Sequence, residues 1–182
     1  MLKGKQLIQK AEVRKSFLAL RDALPPARRL EATNLAYHEL KAVPYNLILS
    51  FFSFGSEIDL FPFNCLLAQQ RRLVLPKRNG VELELYRVED LFNDLDILSL
   101  GLREPIPSRC EKVDPASIDL ALIPAIAFDR DRFRLGFGKG HYDYFLNKNK
   151  PTTMGVGFRE QLSEISLPRD PWDVPLNSLC LL

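Results

Sequence analysis

The sequence predicts an α/β fold, with helices layered on a largely parallel sheet. Three observations point there: short unbroken apolar runs, helical stretches alternating with them, and a glycine-rich turn leading from one run into a helix. Strands covered on both faces read as continuous apolar runs rather than as alternating patterns.

The first 24 or so residues predict a helix, with Leu7, Ala11, Phe17, Leu18 and Leu24 recurring at helical spacings between charges. Pro25-Pro26 stops it and can open a second helix to about Lys41, with Leu30, Tyr37 and Leu40 on one stripe. Pro44 closes this helical segment, 1–43. Leu47–Phe52 then reads as a buried strand, followed by a turn at Gly55-Ser56 and a helix over Pro62–Gln70. Leu73-Val74-Leu75 predicts a second buried strand ending at Pro76. Val81, Leu83 and Leu85 alternate with Glu82, Glu84 and Tyr86, the pattern of a strand near an edge. Ser99–Val113, rich in Pro, Gly and charge, reads as loop. Asp119–Pro124 is the next buried strand, Gly136–Gly140 a turn, Tyr142–Asn147 a helix, Met154–Phe158 a strand, and Val174–Leu182 the end of the sheet.

A chain of 182 residues, 46% hydrophobic and 26% charged, is one domain with one substantial core. Its net charge of +2 gives no basis for binding nucleic acid or an acidic membrane surface. The apolar runs fall short of the ~20 residues that span a bilayer, and the N-terminus lacks the apolar stretch of a secretory signal. Cys65, Cys110 and Cys180 fit neither a disulfide framework nor zinc spacing. A cytoplasmic protein, with a monomer as the simplest state, is expected.

The densest unusual stretch is Pro124–Leu146, with glycines at 136, 138 and 140 and Lys139 between the last two. Such a segment lets the backbone approach an anion and aim N–H groups at it, and a following helix adds its positive end. Arg134 and Lys139 would add full charge; the alternative is a plain turn between strand and helix. The stretch is neither a P-loop, since Gly140 follows Lys139, nor a dinucleotide fingerprint, since His141 occupies the third glycine position. Asp143, at the helix start, is either a carboxylate favoured by the helix dipole or a magnesium ligand. Asp173, between prolines, is a turn residue or a second ligand. Lys10 and Arg14 share a helix face that is otherwise solvated surface, and Glu57 is otherwise an exposed strand-end carboxylate.

Taken together these positions resemble the 5-formyltetrahydrofolate cyclo-ligase family. The resemblance runs from Lys10 to Leu176 and is most specific over Arg134–Asp143, with Pro124 and Phe128-Asp129 before it. Around this core stand Lys10-x-x-x-Arg14, Glu57-Ile58-Asp59, Leu75-Pro76, Gly101, Glu104-Pro105 and Asp173-Val174-Pro175-Leu176. The chain departs from the family where Asp129-Arg130-Asp131-Arg132-Phe133 lacks the usual turn glycine, and His141 stands where tyrosine is common.

The resemblance implies a three-layer α/β/α fold of the NagB/RpiA-like class and an enzyme that uses ATP and Mg2+ to cyclise 5-formyltetrahydrofolate. It implies ATP contacts at Lys10, Arg14, Arg134, Leu135, Gly136, Phe137, Gly138, Lys139, Gly140, His141 and Tyr142. It implies folate contacts at Arg14, Phe52, Glu57 and 137–141, with magnesium on Asp143 and Asp173. Lys139, Arg134 and Glu57 would carry the chemistry, and Trp172 would lie near the adenine. Two rival readings are a folate- or nucleotide-binding relative without turnover, and another α/β enzyme acting on a phosphorylated small molecule.

Overall fold

A computed structural model describes residues 2–182, without the side chains of residues 2–8 and Leu100. The chain opens with two helices, α1 (Leu2–Asp22) and α2 (Pro26–Leu40). β1 (Ile48–Leu49), α3 (Phe61–Gln69), β2 (Leu73–Asn79) and β3 (Glu82–Arg87) follow. β4 (Leu95–Ile97), β5 (Arg103–Pro105) and β6 (Glu111–Val113) are short, and β7 (Leu120–Ile123) is buried throughout. Then come β8 (Ala127–Asp129), β9 (Arg134–Leu135), α4 (His141–Asn149), β10 (Thr152–Gly157), β11 (Leu162–Ser163) and β12 (Ser178–Leu181).

The main sheet has the order β12-β10-β7-β1-β2-β3-β6. Its first five strands are parallel, while β3 and β6 add antiparallel at one edge. Successive residues face opposite layers. Ile48, Leu73, Leu120 and Leu122 meet Ala32, Ala36, Leu40, Phe63 and Leu67 of α2 and α3. Leu49, Val74, Ala121 and Ile123 meet Phe145 and Leu146 of α4. This is the α/β/α layering expected. Because β2 lies to one side of β1 and β7 to the other, the order reverses between β1 and β7, where open α/β sheets bind ligands beyond their carboxyl ends.

Several details differ from the sequence expectation. Leu30 is exposed, and α2 instead buries Ala32, Thr33, Ala36 and Leu40. On α1, Ala11 is exposed, and the Leu7 side chain lies outside the described residues. The helix seats Val13 and Phe17 on a small core of Ala127, Leu135 and Leu167, beside the β8–β9 hairpin. Pro76 does not end β2 but continues it opposite Leu85 of β3, beyond the point where pairing with β1 on the other edge stops. Residues 99–113 contain β5 and β6, three-residue strands too short to show periodicity. The β8–β9 turn solves its missing glycine by placing Arg132 itself at φ 65°. Asp129 accepts from the Arg132 N–H at 2.9 Å and donates its own N–H to the Phe133 carbonyl at 3.0 Å. Among the described residues no helix is long and apolar enough to cross a membrane.

Candidate functional site

Three loops meet where the strand order reverses: residues 50–60 after β1, residues 124–140 after β7, and residues 168–176 before β12. One face of α1 binds all three. Lys10, Arg14 and Arg21 lie four and seven residues apart, on one side of a helix. The Lys10 ammonium is buried and donates to Asp170 Oδ2 at 2.7 Å and Asp173 Oδ2 at 2.8 Å. Burial opposes its charge and the two carboxylates more than offset this, so its pKa lies above the ordinary lysine value. Arg14 Nε donates to the Gly136 carbonyl at 2.8 Å. Arg21 Nε donates to Ser56 Oγ at 3.0 Å and Nη1 to the Ala125 carbonyl at 3.2 Å. Its guanidinium lies 5.9 Å from the centre of the Phe137 ring. The Lys10 end of α1 is therefore not a solvated face.

The glycine segment runs from β9 into α4. Gly138 has φ +89°, the left-handed region that favours glycine, and a Cβ there would come within 3.1 Å of Arg14 Nη2, so a larger residue would also press the Arg14 guanidinium aside. Gly140, at φ 73°, leads into α4 without a side-chain cap, leaving the N–H groups of the first turn for a ligand. Lys139 is exposed and, among the described residues, has no ion partner. Arg134 is buried, donating to Asp143 Oδ1 at 2.6 Å and to the Val174 carbonyl at 3.2 Å. Burial pushes the Asp143 carboxyl above the ordinary aspartate range; Arg134 pulls it back and nearby Asp173 adds to the rise. The two carboxylates expected to act together thus sit close enough to feel each other's charge. Trp172 is 57% exposed, and its carbonyl accepts from Asn147 Nδ2 at 3.0 Å.

Glu57 closes the other side. Burial raises its pKa, against the Phe54 N–H that donates to Oε2 at 3.0 Å and the charge of Arg21. Burial and the charge of Glu57 both push the Tyr142 hydroxyl upward, so Glu57 and the glycine segment address one interior. Phe52 is half-buried, edge-on to Phe61 at 6.2 Å, with the Arg103 guanidinium 4.9 Å from its ring centre. His141 is turned outward, with Nδ1 3.1 Å from the Val81 carbonyl of the β2–β3 turn.

Sequence reasoning missed Arg21, Ser56 and Asp170. Arg21 repeats the Lys10–Arg14 face seven residues on, a readable signal. Asp170 and Ser56 carry none, since only the folded loops bring them to α1.

The profile of the 5-formyltetrahydrofolate cyclo-ligase family matches residues 6–181. A 5-formyltetrahydrofolate cyclo-ligase of Mycolicibacterium smegmatis is 31% identical over 178 residues, covering 92% of this chain and 90% of that protein. The one from Mycoplasma pneumoniae is 31% identical over 120 residues, 66% of this chain and 61% of its own length. The solution structure of Aquifex aeolicus 5,10-methenyltetrahydrofolate synthetase superposes with a TM-score of 0.82 at 34% identity, over 93% of this chain and 88% of that one.

Proposed function

Because the chain belongs to the 5-formyltetrahydrofolate cyclo-ligase family, we propose that it closes 5-formyltetrahydrofolate to 5,10-methenyltetrahydrofolate with ATP, releasing ADP and phosphate. The observation that carries this is the convergence of Glu57, the uncapped glycine segment and the Asp143/Asp173 carboxylates on the reversal point of the sheet, gathered by α1.

The formyl carbon on N5 is amide-like, and its oxygen is a poor leaving group. That oxygen attacks the γ-phosphorus of ATP and ADP departs. The carbon is now iminium-like; N10 attacks it and loses its proton. The C–O bond then breaks, phosphate leaves, and the methenyl bridge remains. The protein's task is positioning and charge neutralisation. Lys139 and the N–H groups of 136–142 meet the phosphates from one side, Lys10 and Arg14 from the α1 side. Arg134 orients Asp143. Glu57, with its pKa raised by burial, holds a proton more readily than in water and can donate to the N5-formyl region as well as accept. Phe52 and Phe137 pack on the pteridine, and Trp172 flanks the adenine.

Asp143 and Asp173 are the residues that would hold magnesium, which takes one or two carboxylates and completes its shell with phosphate oxygens and water. Carboxylate oxygen is the donor type magnesium takes, and the ion would share these two carboxylates with the cations already on them, Arg134 on Asp143 at 2.6 Å and Lys10 on Asp173 at 2.8 Å. Bound there, the ion would neutralise charge on the transferred phosphate oxygens. On this proposal residues 1–182 work as one domain, with the helical segment 1–43 packed on the core, as a cytoplasmic monomer.

The test is incubation with 5-formyltetrahydrofolate and ATP, with and without magnesium, following the ultraviolet absorbance of the methenyl product. Product and ADP in equal amounts, dependent on magnesium, are expected. Folate binding with intact ATP and no product would identify a binding protein instead.

A further inference from the structure

We propose that Arg78, held by the buried carboxylate of Glu104, completes an oxyanion site facing the glycine segment. A hollow of about 440 Å3 lies between the β2–β3 turn and the loop before α4, lined by Arg78, Gly80, Glu104, Lys139 and His141. Glu104, in β5, has a side chain only 7% exposed. A carboxylate so buried is costly unless neutralised. Its Oε1 accepts from Arg78 Nε at 2.6 Å and more loosely from the Arg78 main-chain N–H at 3.4 Å. Its Oε2 lies 3.7 Å from Lys77 Nζ.

The geometry of that pair matters. Glu104 takes the Nε edge of the guanidinium, and among the described residues nothing holds its two terminal nitrogens. A guanidinium fixed at one edge presents a rigid pair of donors suited to a carboxylate or phosphate. Lys139, also without an ion partner among the described residues, lines the same hollow. The His141–Val81 contact ties the two walls together. Glu104 is neutralised by Lys77 as well as Arg78, so the hollow carries surplus positive charge. The hollow of about 170 Å3 between α4 and the β3–β6 edge differs, because its Lys112 and Lys148 are each paired, with Glu84 and Glu82. Arg78 is therefore a binding residue and Glu104 its positioning residue. The oxyanion comes from the triphosphate of ATP or from the glutamyl tail of the folate, an assignment of sources that rests on the proposed function.

Calorimetric titration of wild type, Arg78→Gln and Glu104→Gln distinguishes the sources. The ligands are ATP, 5-formyltetrahydrofolate with one or with three glutamates, and, as probes independent of the reaction, tripolyphosphate and γ-linked triglutamate. Arg78→Gln should weaken one class by about tenfold or more, the scale of a charged hydrogen bond. Loss of ATP and tripolyphosphate assigns the phosphate; loss that is larger for three glutamates than for one assigns the tail. Glu104→Gln should weaken the same class, and the double variant should be no worse than Arg78→Gln alone. Changes below twofold in every ligand with Arg78→Gln, whose amide can still donate to Glu104 and whose folding is checked by thermal unfolding, overturn the proposal. Loss with Glu104→Gln in a class that Arg78→Gln leaves unmoved overturns the positioning role. Arg78-dependent binding of the probes in a wild type that forms no methenyl product would sustain the site while the proposed reaction failed.

Discussion

Replacing Gly138 by alanine tests the glycine segment at its tightest point, with Gly136→Ala as a matched control. At φ +89° an L-residue is strained by about 1–2 kcal/mol. The stiffer unfolded chain returns about 0.4–1 kcal/mol, leaving a net loss near 1 kcal/mol. In a domain of this size that lowers Tm by about 2–4 °C. The added Cβ would also stand 3.1 Å from Arg14 Nη2. Arg14 must yield, which puts at risk its charged bond to the Gly136 carbonyl, worth about 1.5–3 kcal/mol. ATP affinity should therefore fall by about tenfold, more than the stability loss alone would give. Gly136 has no left-handed φ, and a Cβ there would meet nothing within 4 Å, so Gly136→Ala should keep the fold and gain about 0.4–1 kcal/mol from the stiffer unfolded chain. Thermal unfolding and ATP titration read both effects. Equal melting temperatures and equal ATP affinities for the two variants would refute the reasoning.

Lys139→Ala and Asp143→Ala should each lower turnover by at least about 100-fold, the scale of removing a group that stabilises transition-state charge; activity within twofold of wild type would remove them from the site. Glu57→Gln should weaken folate binding yet stabilise the fold as pH rises. The folded state binds the Glu57 proton more tightly than the unfolded chain, so wild-type stability falls as pH climbs above the ordinary value of 4.5 towards the raised one, and the variant escapes that loss. Melting curves of both proteins that ran parallel from acid to neutral pH would contradict this. Arg132→Gly should raise stability by about 0.5–1 kcal/mol by relieving the strain at φ 65°, visible as a higher denaturant midpoint with unchanged slope; a lower midpoint would show that the Arg132 side chain contributes more than its backbone costs.

The elements most legible in the sequence were those whose signals are local. The apolar runs, whose strands are shorter than expected at Ile48–Leu49 and Leu120–Ile123 and whose third member is 73–75, the break at Pro25-Pro26 and the glycines at 136–140 each constrain their own backbone through side-chain bulk, ring closure or its absence. They sufficed for the layered α/β class and for the loops that hold the candidate site. Tertiary structure decided what depended on distant neighbours. The short strands β4, β5, β6, β8, β9 and β11 take their conformation from pairing, not from periodicity. α1 carries its cations inward because loops far along the chain return to it: Lys10 meets Asp170 and Asp173 across 160 and 163 residues. A charge is stable out of water only when its partner is there, and the partner of a helix surface cation is not written in the helix.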